Sequence, residues 1–202
     1  MSMPAAYFDE MYRRNPDPWG FASRWYERRK YALTLAALPR RRYRRALEIG
    51  CSIGIFTAQL AVRCDDLLAV DVAAAAVDAA RTRVADRPQV TVERRALPDE
   101  FPPGRFDLVV LAEVGYYLDA GGLDKLLAAI AGALEPDGDL VAVHWRHPVA
   151  GYPLRGDAVH AALGRTAGLT RTVAHVEADF QLDVYTTTPP VARSVAHREG
   201  LC

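Results

Sequence analysis

The chain has only three cysteines, Cys51, Cys64 and Cys202, far apart and in no CxxC pair. No disulfide framework follows from them, and a reducing compartment fits. Long apolar runs are missing too. No stretch of about 18 apolar residues occurs, so no segment reads as a membrane-spanning helix. The first twenty residues are acidic, aromatic and proline-containing, without the apolar core of a signal peptide. A cytoplasmic location is expected. Net charge is also absent: 25 Lys and Arg stand against 25 Asp and Glu. No overall field draws the chain to nucleic acid or to an anionic membrane. The local run Arg40, Arg41, Arg42, Arg44 and Arg45 reads as a solvated approach to a strand. Neither internal repeats nor low-complexity segments are found.

What is present is the composition of a globular α/β domain. Of 202 residues, 50% are hydrophobic and 25% charged, enough for one core and too few for two ordinary domains. Tyr7, Phe8, Met11 and Tyr12 share one helical face. Prolines 16 and 18 then break the helix, which resumes near Ser23 and stops before Pro39. From Arg45 onward strands and helices alternate. Strands are expected at Ala46–Ile49, Leu67–Asp71, Val90–Glu93, Phe106–Ala112 and Leu140–Trp145. Helices are expected at Ile53–Val62, Ala73–Ala85 and Leu123–Leu134, and from a cap at Asp157 to Thr166. Thr170–Glu177 and Phe180–Thr186 lie too close for a helical crossover, so they form an antiparallel hairpin. Alternation implies a parallel sheet with helices on both faces. The tail after Pro190 shows no clear pattern.

Open parallel sheets bind ligands at the carboxyl ends of their strands. The first strand ends in Glu48-Ile49-Gly50-Cys51-Ser52-Ile53-Gly54. Gly50 permits the sharp turn into a helix, and Gly54 permits close approach of that helix. Ser52 is small enough to admit a ligand near the backbone. Asp71 ends the second strand, where a carboxylate can accept bonds from both ribose hydroxyls of a nucleoside. A dinucleotide fingerprint starting at Gly50 needs glycines at 52 and 55, where Ser52 and Ile55 stand; a P-loop sequence is also lacking. Glu48 suits a cationic ligand and would repel a pyrophosphate.

The segment Glu48-x-Gly50-x-Ser52-x-Gly54 resembles the first motif of class I S-adenosylmethionine methyltransferases, with serine for the middle glycine. Asp71 resembles that family's ribose-binding acid, and Arg95-Ala96-Leu97 the segment beside adenine. Phe106–Glu113 and Leu134–Leu140 resemble its fourth-strand motif and the turn before its fifth strand. The resemblance implies a Rossmann-like seven-stranded sheet, mostly parallel, closed by a C-terminal antiparallel hairpin, with helices on both faces. Residues 1–40 would form an N-terminal helical cap and 41–202 the cofactor domain. It implies S-adenosyl-L-methionine held by Glu48, Gly50, Ser52, Gly54, Asp71, Val72, Ala96, Leu97 and Glu113.

A narrower resemblance, to methyltransferases of the nodulation protein S type, is carried by four segments. They are Asn15-Pro16-Asp17-Pro18-Trp19-Gly20-Phe21, Trp25–Tyr31, Gly50–Gly54 and His144-Trp145-Arg146-His147-Pro148. It implies N-methylation of an amino sugar, such as a de-N-acetylated oligosaccharide. Trp19, Trp25 and Tyr26 could wall the site, and Arg29 could clamp the cofactor carboxylate. Tyr116, Tyr117, Arg146 and His147 are expected toward the acceptor. An ammonium acceptor must first lose a proton, and Glu113 or His144 is the candidate base. No metal is required; the His144-to-His147 spacing puts the two on opposite faces of a strand. O-methylation and a non-catalytic cofactor-binding regulator remain alternatives. The expected partner is a small molecule, with no nucleic acid or membrane, and the chain a monomer or homodimer.

Overall fold

The computed structural model describes residues 1–202. Strands β1 (Tyr43–Ile49), β2 (Cys64–Asp71), β3 (Val90–Arg94), β4 (Phe106–Ala112) and β5 (Leu134–Trp145) run parallel. With β6 (Leu169–Val176) and β7 (Phe180–Thr187) they form one sheet in the order β3-β2-β1-β4-β5-β7-β6. β7 is antiparallel to both β5 and β6, so the hairpin read from its short connection is present. Chain order reverses between β1 and β4, and a crevice opens there at the strand carboxyl ends.

The central strands are apolar because helices cover both faces. β4 is buried from Phe106 to Leu111. On one face Leu47, Ile49, Val109 and Leu111 pack with Leu123, Leu126 and Ile130 of α5 (Ala120–Ala133) and with Val159 and Leu163 of α6 (Gly156–Leu163). On the other face Ala46, Leu108, Val110 and Val141 pack with Phe56 and Leu60 of α3 (Ile55–Leu60). α4 (Ala74–Arg83) buries Val77 and Ala80 beside β2 and β3.

Two helices precede the sheet, α1 (Ala5–Arg14) and α2 (Trp25–Ala37). They lie over the crevice mouth. The Tyr12 hydroxyl meets Ser52 Oγ at 2.5 Å, and Met3 N donates to the Tyr117 carbonyl. Aromatic rings continue the seam: Tyr12 on Trp19, Trp19 on Phe21, Phe21 on Tyr31, and Tyr31 on Phe56.

Three local readings are corrected. Asp157 does not cap α6; Arg155 holds that position, while Asp157 lies in the first turn and pairs with Arg146 at 2.8 Å. β5 starts at Leu134 rather than Leu140. Leu134 pairs with Phe106, and the Pro136–Gly138 segment becomes an irregularity inside the strand. The tail contains a short helix, α7 (Val195–Arg198). The arginine run is satisfied by acids: Arg40 by Asp137 and Asp139, Arg42 by Asp65, Arg44 by Glu135, Arg45 by Asp66.

Candidate active site

The turn after β1 needs two left-handed glycines. Gly50 has φ +79°, and a Cβ there would lie 2.2 Å from a Val114 methyl carbon. Gly54 has φ +77°, with Ala80 of α4 3.0 Å from where its Cβ would be. Gly50 thus lets the turn close under the β4 end, whereas Gly54 seats α3 against α4 and takes no place on the cavity wall. Ser52, at φ +49°, is held in the left-handed region by its neighbours. Its N–H donates to Asp71 Oδ2 at 2.9 Å, and its hydroxyl meets Tyr12.

The turn opens on a cavity of about 720 Å³, well within the range of small-molecule sites. Of the expected cofactor residues, Trp19, Glu48, Gly50, Ser52, Asp71, Val72, Ala96, Leu97 and Glu113 line it. Asp71 also accepts from Ala73 N at 2.9 Å. It therefore ties the glycine turn to the start of α4, and each oxygen keeps a lone pair for a hydroxyl. Glu48 is 3% exposed and its Oε2 has no hydrogen-bond partner. Burial, with the nearby Asp71 charge adding to it, pushes its pKa up to about 7. The Thr57 hydroxyl beside Glu48 pulls the other way; a buried carboxylate with one free oxygen beside a nucleoside-sized crevice fits an ammonium-bearing nucleoside.

The β4 end forms the second part of the site. Glu113 has φ +59°, a conformation kept only when its surroundings enforce it. Oε1 accepts from Lys30 Nζ at 2.5 Å; Oε2 accepts from the Tyr116 hydroxyl at 2.6 Å and from Trp145 N at 2.9 Å. Both oxygens are thus occupied, which leaves Glu113 poorly placed to take a proton and well placed to hold the loop Glu113–Tyr117. Tyr116 and Tyr117 line the cavity as expected, together with Tyr26, Trp145 and Tyr152.

Other expected residues lie elsewhere. Arg29 does not reach the cavity; its fork closes on Glu177 through two 2.7 Å bonds at the surface. Trp25 is exposed, one helical step from Tyr26, which does face the cavity. Arg146 binds Asp157 and the Glu177 carbonyl, and His147 meets Asp179 at 2.7 Å; neither is on the wall. His144 is wholly buried behind the β4 loop rather than open to an acceptor. Gly115 N donates to its Nε2 at 3.2 Å, so Nδ1 carries the proton and donates to His160 Nε2 at 3.1 Å. His160 Nδ1 then donates to Asp183 at 2.6 Å. Burial holds the His144 pKa well below the usual histidine range, with His160 adding to the effect. A neutral, enclosed imidazole is a structural support, not the base.

Sequence reasoning passed over Glu27 and Lys30. They sit three apart on α2, a spacing that in a sequence reads as a solvated pair. In the structure both are buried cavity-wall residues. Burial opposes the Lys30 charge, but Glu113 and Glu27 more than offset it and its pKa is raised.

A doubly wound sheet with a glycine turn, an acid after β2 and a roofed cavity is the class I methyltransferase arrangement. The family model described as Nodulation protein S (NodS) matches residues 9–153. The chain belongs to the nodulation protein S family. Nodulation protein S of Rhizobium tropici is 33% identical over 127 residues, covering 62% of this chain and 53% of the relative. That of Bradyrhizobium diazoefficiens is 33% identical over 132 residues, covering 62% and 61%. This chain therefore spans a little over half the length of the curated relatives it matches. Among solved structures, the N-methyltransferase NodS of Bradyrhizobium japonicum in complex with S-adenosyl-L-homocysteine superimposes with a TM-score of 0.82. It is 26% identical, with 91% of this chain and 98% of that one covered. A candidate methyltransferase of Pseudomonas syringae is 48% identical at a TM-score of 0.73, covering 81% and 99%.

Proposed function

We propose that the chain is an S-adenosylmethionine-dependent methyltransferase acting on the amine of a small molecule, an amino sugar or de-N-acetylated oligosaccharide by preference. The observation that carries the reading is the buried Glu48 carboxylate, its Oε2 without a partner, beside Asp71 at the glycine turn. The pair suits a cationic nucleoside, and the match to a relative crystallised with S-adenosyl-L-homocysteine supports it. Glu48 would face the cofactor ammonium, Asp71 the ribose hydroxyls, and Val72, Ala96 and Leu97 the adenine. When bound, S-adenosylmethionine supplies the activated methyl group. The protein aligns the acceptor with it and excludes water.

The cavity wall continues past this cradle to Tyr26, Glu113, Tyr116, Trp145 and Tyr152. Aromatic faces among carboxylates suit a sugar that carries an amine. This open space favours an enzyme over a sealed regulator. The reading keeps the chain in the cytoplasm as a monomer or homodimer; no helix of the structure is long and apolar enough to cross a membrane. Incubation with S-adenosylmethionine and chitotetraose bearing one free amine, followed by mass spectrometry, tests it. One added methyl group on nitrogen is expected. Methylation of the fully N-acetylated tetramer in its place would contradict an amine acceptor.

A further inference from the structure

Beside the β4 and β5 ends the cavity is bounded by one turn of α2, from Tyr26 to Lys30. Glu27 is 6% exposed, and its Oε2 pairs with Lys30 Nζ at 2.9 Å. The same ammonium, which has three N–H donors, also donates to Glu113 Oε1 at 2.5 Å. The Tyr26 hydroxyl is buried and unpartnered. Buried polar atoms are seldom left unpaired in a finished structure. Here the Tyr26 hydroxyl is one, next in the chain to Glu27, and both residues line the same cavity. A bound ligand that donates a hydrogen bond would complete it and meet the Glu27 carboxylate beside it. Charge points the same way: two carboxylates, Glu27 and Glu113, share the single ammonium of Lys30. Within this cluster the carboxylates outnumber the buried ammonium two to one, with Arg24 the other cation acting on Glu27, an arrangement that suits an incoming cation.

We propose that this turn of α2 seats the acceptor nitrogen, with Glu27 as the group that takes its proton and the Tyr26 hydroxyl as its second hydrogen-bond partner. The assignment rests on the amine-methylation reading above and replaces Glu113, whose oxygens are filled, in the role of base. An ammonium has no lone pair. Its proton passes to the Glu27 carboxylate, leaving a free amine and a carboxylic acid. The nitrogen pair then forms the bond to the methyl carbon as the carbon–sulfur pair returns to sulfur, leaving a neutral thioether. The product departs as a methylammonium, and Glu27 gives its proton to solvent, so each turnover releases one proton.

The surroundings of Glu27 tune it for this work. Burial raises its pKa; Lys30 on its own helix and Arg24, just before that helix, pull it down, and Glu113 from the β4 end pushes it up. Asp179 and Glu177, from the β6–β7 hairpin, stand near Tyr26. A carboxyl with a raised pKa is a better match to an amine than an exposed one.

The test uses the full chain, S-adenosylmethionine and the mono-amino chitotetraose. Glu27→Gln is expected to lower kcat roughly 100-fold or more and to remove the acid limb of the pH profile. Its affinity for S-adenosylhomocysteine should stay as in the unaltered protein. A second readout needs no turnover. Loaded with S-adenosylhomocysteine, the unaltered protein binds the free-amine tetramer in preference to the N-acetylated one, and Glu27→Gln loses that preference. Glu27→Asp keeps the charge beside Lys30 and decides the matter if the Gln variant does not fold; a loss of roughly 10-fold in kcat is expected from the retracted carboxylate. An active protein whose folded Gln variant keeps its kcat and acid limb, or failing that whose Asp variant keeps its kcat, overturns the role of Glu27 alone. An unaltered protein that neither binds nor methylates the amine overturns the amine-acceptor reading and this assignment together.

Discussion

The affinity of the chain for S-adenosylhomocysteine should rise steeply with pH, and Glu48 should be the cause. In the empty site burial holds its pKa near 7. To face an ammonium it must be ionised. With a pKa of about 7, about 1% of the carboxyl is ionised at pH 5 and about 90% at pH 8, so affinity should gain roughly 90-fold across that interval. The ligand ammonium remains charged throughout. Folding shows the same linkage with opposite consequence. The folded pKa lies above the unfolded one, so the contribution of Glu48 to stability is full below about pH 4.5 and is lost as pH rises through 7. The loss comes to about 3 kcal/mol. Asp71, whose pKa burial also raises, adds in the same direction. The informative quantity is therefore the difference between the unaltered chain and Glu48→Gln. Calorimetric titration from pH 5 to 8 should show the steep rise in the former and a much flatter curve in the variant. Thermal melts of the empty proteins at pH 8 should find Glu48→Gln the more stable. A variant whose affinity climbs with pH as the unaltered chain's does would refute the reasoning, because the linked proton would then sit elsewhere.

Further outcomes follow from the same geometry. Gly50→Ala pushes a Cβ into Val114 at φ +79° and should cost about 1–3 kcal/mol by urea denaturation while weakening cofactor binding. Arg29→Ala should leave S-adenosylhomocysteine affinity unchanged, since Arg29 is engaged with Glu177 away from the cavity; a ten-fold loss in calorimetry would return it to the cofactor site. His144→Phe strips partners from Gly115 N and His160 and should lower unfolding stability by about 2–4 kcal/mol, with no shift in the pH profile of kcat.

The part of the cavity wall built from the glycine turn and Asp71, where the cofactor is proposed to lie, was legible in the sequence because it is local. Glu48, Gly50 and Ser52 lie in one turn, and Asp71 follows at the length of one helix and one strand. The hairpin was legible from loop length alone. The wall around Glu27, Lys30 and Glu113 was not, because it is assembled across the chain. Glu27 and Lys30 carry no signal of burial until Glu113, 83 residues beyond Lys30, is brought onto them. His144, His160 and Asp183 form a chain of bonds only because β5, α6 and β7 meet. In the same way Arg146 drew Asp157 into an ion pair, and Arg29 met Glu177 instead of a ligand. Such choices between rival partners of equal chemistry are made by tertiary packing, which spacing along the chain does not encode.

The central claim is that the crevice at the carboxyl ends of the central strands accepts an ammonium-bearing nucleoside, gripped by Asp71. A calorimetric titration of S-adenosylhomocysteine against the unaltered chain and Asp71→Ala, with a nicotinamide dinucleotide as the rival ligand, tests it most directly. Binding at one site, weakened by roughly 1–3 kcal/mol in the variant, with no heat from the dinucleotide, is the predicted result. Tighter binding of the dinucleotide, or equal affinity of both proteins for S-adenosylhomocysteine, would contradict it.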